Sequence, residues 1–175
     1  MIENVILVNE LDQEVGSMEK MEAHKKGLLH RAFSVFIFNQ KGEVLLQQRA
    51  LGKYHSGGLW TNTCCSHPRS GETTLEAGKR RLMEEMGFTC ELDAVFSFTY
   101  KVELDQGLIE HELDHVLVGT YSGSFSPNPE EVMNTVWMPL EQLIFDCQYR
   151  PEKYTSWLQI IINEYAAHLK QALAA

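Results

Sequence analysis

Residues 59–72 hold the densest group of side chains that could do chemistry, because thiols, an imidazole and a carboxylate occur there together. The residues from Trp60 to Thr63 alternate aromatic, polar and β-branched side chains, which predicts a short strand. Pro68 ends this strand, since proline has no N–H group to donate to a neighbouring strand. We therefore expect a reactive site on an extended segment that reaches as far as His67.

The two adjacent cysteines of this segment are predicted to face opposite ways. Side chains alternate along a strand, so Thr61, Thr63, Cys65 and His67 share one face if the extended conformation continues, and Cys64 points to the other. A free cysteine often serves only as a small buried hydrophobe. The alternation favours that role for Cys64 and assigns Cys65 to the same site as His67.

Two further histidines precede the first long strand. His24 and His30 flank Gly27, which interrupts a helix, and their spacing does not place them on one helical face. They can converge on a metal ion only if the segment loops. Two histidines on the protein surface would explain the same residues, so this segment alone leaves both interpretations open.

A pair of glutamates projects from one face of a second long strand, predicted for residues 108–121. Glu110, Glu112 and Asp114 share this face. Adjacent carboxylates repel each other weakly in water but strongly when buried, so burial would require a cation between them. A metal ion would meet this need, whereas an edge strand with a hydrated acidic face would not need one.

A helix is predicted for residues 73–87, where a threonine can cap the first turn and Gly87 ends the last. Its apolar stripe has spacings of three and four residues and consists of Leu75, Gly78, Leu82 and Met86. Glu85 lies at the edge of this stripe, four residues after Arg81, and could point inward. The ordinary alternative is an exposed ion pair between Arg81 and Glu85.

A basic, glycine-rich loop follows the strand predicted for residues 43–48. Arg49 ends the strand, and the loop of residues 52–58 carries Lys53, His55 and three glycines. Glycines allow a backbone to approach a ligand closely, and the cations would suit a phosphate. An ordinary hairpin end would have the same composition.

The elements that would position these residues indicate an α+β fold in one domain covering residues 1–175. Strands dominate the middle of the chain and helices flank them, which predicts a mixed sheet packed between helices. The strongest strand covers residues 31–38, because both of its faces are apolar. The other predicted strands cover residues 5–8, 15–18, 91–103 and 135–138, and further helices cover residues 139–145 and 152–173.

The composition is that of an ordinary globular protein with an acidic surface. Of 175 residues, 44% are hydrophobic and 22% are charged, and the net charge is -9. This charge repels nucleic acids and anionic membranes, so an anionic substrate would need a local basic cluster. The four cysteines suit reduced thiols, and no apolar segment is long enough for a signal sequence or a membrane span. We expect a soluble, cytoplasmic protein, and a monomer.

Residues 66–88 resemble the Nudix pattern G-x5-E-x7-R-E-U-x-E-E-x-G-U, with two departures. The positions that agree with the pattern are Glu72, Arg80, Leu82, Glu84, Glu85, Gly87 and Phe88. Ser66 replaces the opening glycine. Arg81 replaces the first glutamate of the R-E-U element, which in Nudix hydrolases contributes to magnesium binding.

The segment Trp60-Thr-Asn-Thr-Cys-Cys65-Ser-His67-Pro resembles the pattern W-T-N-x-x-C-x-H-P of the type I isopentenyl diphosphate isomerases, which share a Nudix-like fold. The resemblance extends over nearly the whole chain. Further positions in family order are Glu19-Lys20, His24, His30-Arg-Ala-Phe33, Arg49-Ala-Leu, Lys53, Gly71-Glu72, Tyr100, Glu110-His-Glu112 and Trp157.

This resemblance implies two divalent metal ions. The ligands of the first, Mn²⁺ or Zn²⁺, would be His24, His30, His67, Glu110 and Glu112. The second, Mg²⁺, would be held against a diphosphate by Glu85 and the backbone carbonyl of Cys65.

The resemblance also implies a small-molecule diphosphate as substrate, and neither nucleic acid nor membrane as partner. The residues that would bind the diphosphate are Lys20, Arg49, Lys53 and Arg81. The implied reaction moves the double bond of isopentenyl diphosphate by adding a proton at one carbon and removing a proton from another. Cys65 would act on one side of the substrate, and Glu112 with Tyr100 on the other. Trp157 would face the cation formed between the two steps.

Two other functions are compatible with parts of the sequence. A Nudix hydrolase would cleave a nucleoside diphosphate derivative, but Arg81 stands where its metal-binding glutamate belongs. A non-catalytic domain could use Cys65 and His67 as structural zinc ligands, but the chain has no C-x2-C pair. Incubation with isopentenyl diphosphate and Mg²⁺ would distinguish the three.

Overall fold

One mixed sheet of nine strands forms the centre of the fold, and four α-helices accompany it. The computed structural model describes residues 1–175. The strands are β1 (Asn4–Val8), β2 (Glu14–Glu19), β3 (His30–Phe38), β4 (Glu43–Arg49), β5 (Trp60–Thr61), β6 (Cys64–Ser66), β7 (Leu92–Glu103), β8 (Ile109–Thr120) and β9 (Val132–Pro139). The helices are α1 (Lys20–Lys26), α2 (Thr74–Met86), α3 (Leu140–Tyr149) and α4 (Ser156–Ala174). None of these helices is both long enough and apolar enough to cross a membrane.

Strand β3 makes the sheet mixed, because it pairs in parallel with β8 and antiparallel with its other neighbours. The parallel ladder runs from the His30–Glu112 pair to the Phe38–Thr120 pair. The opposite edge of β3 contacts β1, β6 and β4 in turn. The remaining pairs, β1 with β2, β4 with β5 and β9, and β7 with β8, are antiparallel. The predicted α+β fold with a mixed sheet is therefore confirmed.

The two faces of β3 belong to two separate hydrophobic cores. Phe33, Val35 and Ile37 pack with residues of α2 on one face of the sheet. Phe36 and Phe38 pack with residues of α3 and α4 on the other face. Burial on both faces explains the continuous apolar pattern of this strand. The sheet lies between helices, as the sequence predicts.

Helix α2 begins and ends where the sequence indicates. The Thr73 hydroxyl accepts a hydrogen bond from the N–H of Glu76, and the Glu76 carboxylate accepts one from the N–H of Thr73, which is a capping box. Gly87 follows the helix with a φ of 78°, a left-handed conformation that favours glycine. Within the helix, a Cβ atom at Gly78 would lie 2.8 Å from Leu117 Cδ1. The absence of a side chain at Gly78 therefore lets α2 approach the sheet closely, as expected.

The short helix α1 is not foreseen by the sequence pattern. The Glu19 carboxylate accepts hydrogen bonds from the N–H groups of Met21 and Glu22, and Gly27 ends the helix with a φ of 63°. His24 lies in the last turn. A helix of seven residues is too short to display a clear apolar period. Gly27 is thus the end of a helix, and the interpretation that it interrupts one was wrong.

Several predicted elements have different boundaries in the structure; for example, β9 begins at Val132 and α3 extends to Tyr149. The strand expected from Trp60 to His67 breaks into β5 and β6, because Asn62 and Thr63 bind backbone groups of neighbouring strands with their side chains. The closing helix begins at Ser156 rather than at residue 152, since a 3-10 turn, Pro151–Lys153, precedes it.

Candidate metal centre and active site

A cavity of 410 Å³ opens near the first residues of β3 and β8. Side chains from α2, α4, β6, β7 and β8, and from the loop between β4 and β5, line it. Its size suits a small molecule rather than a polymer. Segments that are far apart in the sequence thus contribute to one site.

Three histidines meet at one side of this cavity. The ring centroids of His24, His30 and His67 lie between 4.9 and 5.7 Å apart. The Nδ1 atoms of His24 and His30 lie 2.7 and 2.9 Å from the backbone oxygens of Lys20 and Leu28. A carbonyl oxygen only accepts hydrogen bonds, so these Nδ1 atoms carry protons, and in its neutral form each ring has its lone pair at Nε2. Both Nε2 atoms are buried without a hydrogen-bond partner, so the interpretation of two surface histidines is excluded.

Both glutamates of β8 point into the same buried region. Glu112 Oε1 lies 3.0 Å from His67 Nε2 and 3.3 Å from His30 Nε2. The Tyr100 hydroxyl lies 2.8 Å from Glu112 Oε2 and 3.0 Å from Glu110 Oε2. Because both carboxylates are buried, the alternative of a hydrated acidic edge strand is excluded.

The buried surroundings move the pKa values of the two glutamates in opposite directions. Burial and the neighbouring charge of Glu112 raise the pKa of Glu110. Burial also opposes ionisation of Glu112, but the adjacent His30 and His67 imidazoles hold its pKa well below the usual range. Burial lowers the pKa of His67 and so favours its neutral, metal-binding form.

These side chains have the composition and the proximity of a divalent metal site. The three histidines and Glu112 each offer one nitrogen or oxygen atom, and these atoms lie within 4.8 Å of one another. His24, His55 and Glu110 form a second such group. Neutral imidazoles and carboxylates are ligands that Zn²⁺ and Mn²⁺ accept. The residues present fit a metal ion, which would also supply the cation that two buried glutamates need.

The four cations predicted to bind a diphosphate all line the cavity. Lys20 forms an ion pair with Glu3 at 2.5 Å, and Lys53 pairs with Glu131. Arg49 is buried, and its guanidinium lies over an aromatic ring of α4 rather than against a carboxylate. The structure therefore brings the predicted cations together but gives both lysines a carboxylate partner.

Helix α2 contributes Arg81 and Glu85. Glu85 points inward, as predicted, since it is only 4% exposed and Gln47 Nε2 donates a hydrogen bond to its Oε2 over 2.8 Å. Arg81 Nη2 donates to Glu85 Oε1 over 2.5 Å and also lies 3.3 Å from Glu131. The pair is thus an ion pair at the wall of the cavity and not on the exposed surface.

Carboxylates outnumber cationic side chains around the cavity. Six glutamates line it, at positions 3, 85, 110, 112, 130 and 131, against two lysines and two arginines. The basic cluster that an anionic substrate requires is therefore present, but nearby carboxylates compensate its charge. Binding of a diphosphate here would need additional positive charge, which divalent metal ions would provide.

The two adjacent cysteines lie in different environments, as the strand alternation predicts. Cys64 is completely buried in the core beneath α2. Cys65 lines the cavity, and its backbone pairs with Ser34 of β3. Burial raises the pKa of the Cys65 thiol, so this group keeps its proton at neutral pH.

Trp157 joins the wall of the cavity to the core behind it. Its Nε1 donates a hydrogen bond to Asn62 Oδ1 over 3.1 Å, and the side chain is almost fully buried. The guanidinium of Arg49 lies 5.3 Å from the centre of its ring. The His55 ring meets it edge-on at 5.8 Å. One aromatic side chain therefore contacts a candidate phosphate-binding residue and the edge of the histidine cluster.

Sequence reasoning misplaces two residues of the site and assigns no role to a third. Thr61 and Thr63, expected beside Cys65, bind Thr155 and the Leu45 carbonyl instead, because the strand breaks between β5 and β6. His55 is buried, with Nε2 3.3 Å from a carboxylate oxygen of Glu110. The only signal for His55 in the sequence is its place in a glycine-rich, basic loop.

Comparisons with known proteins identify the family of this chain. A family model described as "NUDIX domain" matches residues 28–158. The chain is 51% identical over 168 residues to "Isopentenyl-diphosphate Delta-isomerase" of Serratia proteamaculans (strain 568), which covers 96% of this chain and 94% of that protein. It is 52% identical over 163 residues to "Isopentenyl-diphosphate Delta-isomerase 2" of Aromatoleum aromaticum, which covers 93% of this chain and 86% of that protein.

A solved structure supports the fold independently of close sequence similarity. The protein DR0079 from Deinococcus radiodurans superposes with a TM-score of 0.76 over 92% of this chain and 98% of that one. The two sequences are 20% identical, so this likeness concerns the fold alone.

Proposed function

The chain belongs to the NUDIX domain family and, within it, to the isopentenyl-diphosphate Delta-isomerases, and we propose that it interconverts isopentenyl diphosphate and dimethylallyl diphosphate. The observation that carries this proposal is the meeting of Cys65, Tyr100, Glu112 and Trp157 at one cavity, beside a buried cluster of metal-ligand type. Identity of about half the residues to proteins with this name supports it.

The proposed reaction moves one double bond without changing the oxidation state of the substrate. A proton adds to the terminal alkene carbon of isopentenyl diphosphate, and a tertiary cation forms at the adjacent carbon. A proton then leaves carbon 2, and the electron pair of that C–H bond becomes the new double bond. The site must therefore supply one general acid and one general base.

Cys65 is the proposed acid of the forward reaction. Its raised pKa keeps the thiol protonated, and the side chain lines the cavity. The nearby positive charge of Arg49 favours the thiolate that remains after the proton has moved. Strand β3 lies between β6, which carries Cys65, and β8, which carries the proposed base. Acid and base thus approach the substrate from different strands.

Glu112, together with Tyr100, is the proposed base. The pKa of Glu112 is held well below the usual range, so the carboxylate is ionised. The Tyr100 hydroxyl donates to Glu112 Oε2 over 2.8 Å and fixes the orientation of the carboxylate. An ionised, oriented carboxylate at the cavity wall can accept the proton from carbon 2.

Two metal ions are part of the proposal. Mn²⁺ or Zn²⁺ would be held by His24, His30, His67, Glu110 and Glu112. Mg²⁺ would be held by Glu85 and the backbone carbonyl of Cys65. When bound, the first ion would stabilise the buried carboxylates and tune the protonation of Glu112, and the second would neutralise diphosphate charge.

The diphosphate is proposed to bind between Lys20, Arg49, Lys53 and Arg81. Arg49 and Arg81 suit bidentate contacts to phosphate oxygens, and the two lysines can exchange their glutamate partners for phosphate. The net charge of -9 supports a small-molecule partner over nucleic acid or an anionic membrane. A cytoplasmic monomer remains the proposed state.

Trp157 is proposed to stabilise the tertiary cation through its ring. An aromatic face attracts a cation most strongly where water is excluded, and this side chain is almost fully buried at the cavity. Its hydrogen bond to Asn62 fixes the orientation of the indole.

Incubation of the purified protein with isopentenyl diphosphate and Mg²⁺ tests the proposed function. We expect dimethylallyl diphosphate to appear with no release of phosphate. Release of phosphate, or cleavage of a nucleoside diphosphate derivative at a comparable rate, would instead favour a Nudix hydrolase. The sequence argues against a hydrolase, because Arg81 replaces a metal-binding glutamate of the Nudix pattern. A protein that binds zinc but converts neither compound would favour a metal-stabilised domain without catalysis.

A further inference from the structure

His55 stands apart from the five candidate metal ligands, because no sequence pattern assigns it a role. It lies on the loop between β4 and β5, and its side chain is only 2% exposed. Its Nε2 atom is buried and has no hydrogen-bond partner. A buried imidazole nitrogen without a partner is costly, so the surroundings of this atom must be explained.

The relation between His55 and Glu110 repeats that between His30 and Glu112. In each pair, Nε2 lies 3.3 Å from Oε1, and in each pair the Nε2 atom makes no hydrogen bond. Two ligand atoms that each lie about 2.1 Å from one metal ion are about 3.0–3.4 Å apart when they are adjacent in its coordination sphere. Both pairs therefore have the spacing of neighbouring ligands.

His24 is the one residue that the two ligand groups share. It belongs both to the group with His30, His67 and Glu112 and to the group with His55 and Glu110. One Nε2 lone pair binds one metal ion, so two separate ions cannot both use it. Glu110 shares its group only with His24 and His55, so an ion close enough for Glu110 to bind it is also beside His55.

We propose that His55 is a sixth protein ligand of the metal ion held by His24, His30, His67, Glu110 and Glu112. This proposal rests on the metal centre included in the proposed function. The orientation of the ring is already set, since His55 Nδ1 lies 3.0 Å from the Ser56 hydroxyl. Metal-binding imidazoles are commonly oriented through their second nitrogen in this way.

Ligation by His55 connects the metal centre to the loop that carries Lys53. The His55 carbonyl accepts a hydrogen bond from Arg49 Nη2 over 3.1 Å. Ser56 adopts a φ of 53°, a left-handed conformation that is unfavourable outside glycine. A metal–nitrogen bond at the preceding residue stabilises this conformation, so the ion holds Lys53 and Arg49 in position for a diphosphate.

Zinc titration of the metal-free protein, in competition with a chromophoric chelator, tests the proposal without substrate. The variants are His55→Gln and the control His168→Gln, which changes an exposed histidine of α4. We expect His55→Gln to bind zinc at least about 10-fold more weakly than the wild type. A loss of about 10-fold is the smallest typical effect of removing a residue that only orients a metal ligand, and removing a ligand itself should cost at least as much. His168→Gln should bind zinc like the wild type. Equal affinity of wild type and His55→Gln would overturn the proposal.

X-ray absorption of the zinc-loaded wild type gives an answer that does not depend on how a variant folds. Four imidazoles per zinc are expected, and three would contradict the proposal. A wild type that binds no zinc would overturn the metal centre and the role of His55 together. Isomerisation is assayed separately, so an inactive protein with four imidazoles on zinc would overturn only the proposed reaction.

Hydrogen exchange of residues 51–58 measures the connection between the ion and the loop. We expect zinc to slow exchange in this loop of the wild type and of His168→Gln, but not of His55→Gln. Equal protection by zinc in all three proteins would contradict the connection.

Discussion

Adjacent residues of one strand can have unrelated surroundings, and the cysteine pair demonstrates this. Cys64 fills the core beneath α2, whereas Cys65 lines the cavity. The sequence alone predicts this difference, because alternation along a strand is a local property. The same rule failed for Thr61 and Thr63, where side chains that bind backbone groups break the strand.

Substitution of each cysteine separates the two roles. We expect Cys65→Ala to retain its fold and to lose nearly all isomerase activity, because the proton donor is gone. Cys64→Ala removes a buried sulfur and should lower the free energy of unfolding by about 1 kcal/mol, with little change in kcat. Steady-state kinetics and thermal melting of both variants give the comparison, and the reverse ranking of activities would contradict the assignment.

Substitution of Trp157 distinguishes cation stabilisation from packing. A buried cation over an indole gains about 2 kcal/mol, roughly a thirtyfold effect on rate if it acts only in the transition state. We expect Trp157→Phe to lose a small part of kcat, and Trp157→Leu, which has no ring, to lose much more. Both variants also change the contact between the Trp157 ring and Arg49, a candidate phosphate-binding residue. This change should affect KM rather than kcat.

The measurement that decides about Trp157 is kcat at equal folded fraction, taken from melting curves of both variants. Equal kcat values for the phenylalanine and leucine variants would mean that the ring serves only the core.

At the scale of elements, the long regular segments were predictable and the convergence of loops was not. Helix α2 has both caps and a full apolar stripe in its sequence, and β3 has apolar residues on both faces. Helix α1 is too short for such a pattern. His55 reaches Glu110 only because the loop between β4 and β5 folds back over the sheet, and no local spacing records that contact.

The end of α2 depends on a glycine that no other residue can replace without strain. At Gly87 a Cβ atom would lie 2.3 Å from the backbone oxygen of Ser126, and φ is 78°. Gly42, in the turn after β3, has a φ of 75° but nothing within 4 Å of the same position. We expect Gly42→Ala to lower the free energy of unfolding by about 1–2 kcal/mol, the cost of the left-handed conformation alone.

Gly87→Ala should lower the free energy of unfolding clearly more than Gly42→Ala does, because the clash with Ser126 adds to the same conformational cost. Chemical denaturation of both variants gives the two values. Equal losses would indicate that the segment around Ser126 moves aside freely.

The segment before α2 is fixed by an ion pair that gives a pH-dependent contribution to stability. Arg80 donates to both carboxylate oxygens of Glu72, over 2.6 and 2.9 Å, and lowers the pKa of Glu72. The unfolded chain then binds more protons than the folded one as pH falls below about 4.3, the ordinary glutamate pKa. The contribution is complete above this pH and disappears as pH falls through the lowered pKa of the folded state.

The melting temperature of Glu72→Gln should therefore be lower than that of the wild type at pH 7, and this difference should be smaller at pH 3. The expected gap at pH 7 is about 2–4 °C, corresponding to about 1 kcal/mol for a partly exposed pair. Glu164→Gln, on an exposed position of α4, serves as the control and should not change the pH profile. A gap that persists unchanged at pH 3 would contradict this origin.

At the scale of the whole molecule, negative charge is concentrated inside as well as outside. The net charge is -9, and six glutamates line one cavity. Two of them are buried next to each other on β8. We therefore expect bound metal ions to stabilise the folded chain as well as to take part in the proposed reaction.

Removal of metal with a chelator should lower the melting temperature. An ion present at about 100 times its dissociation constant stabilises the folded state by about 2.7 kcal/mol, which corresponds to about 5–10 °C for a chain of this size. Addition of Zn²⁺ or Mn²⁺ should restore the melting temperature, and Mg²⁺ alone should restore less because imidazoles bind it poorly. An unchanged melting curve after removal of all metal would contradict a metal centre of this kind.

The parallel pairing of β3 with β8 also has a consequence for the kinetics of folding. The His30–Glu112 pair joins residues that are 82 positions apart in the sequence, and closing such a long loop is entropically costly and slow. The ligands of β8 emerge from the ribosome long after the histidines near the amino terminus. We therefore expect a metal ion to meet its complete set of ligands only after the rate-limiting step of folding. It should slow unfolding while leaving the rate of folding almost unchanged.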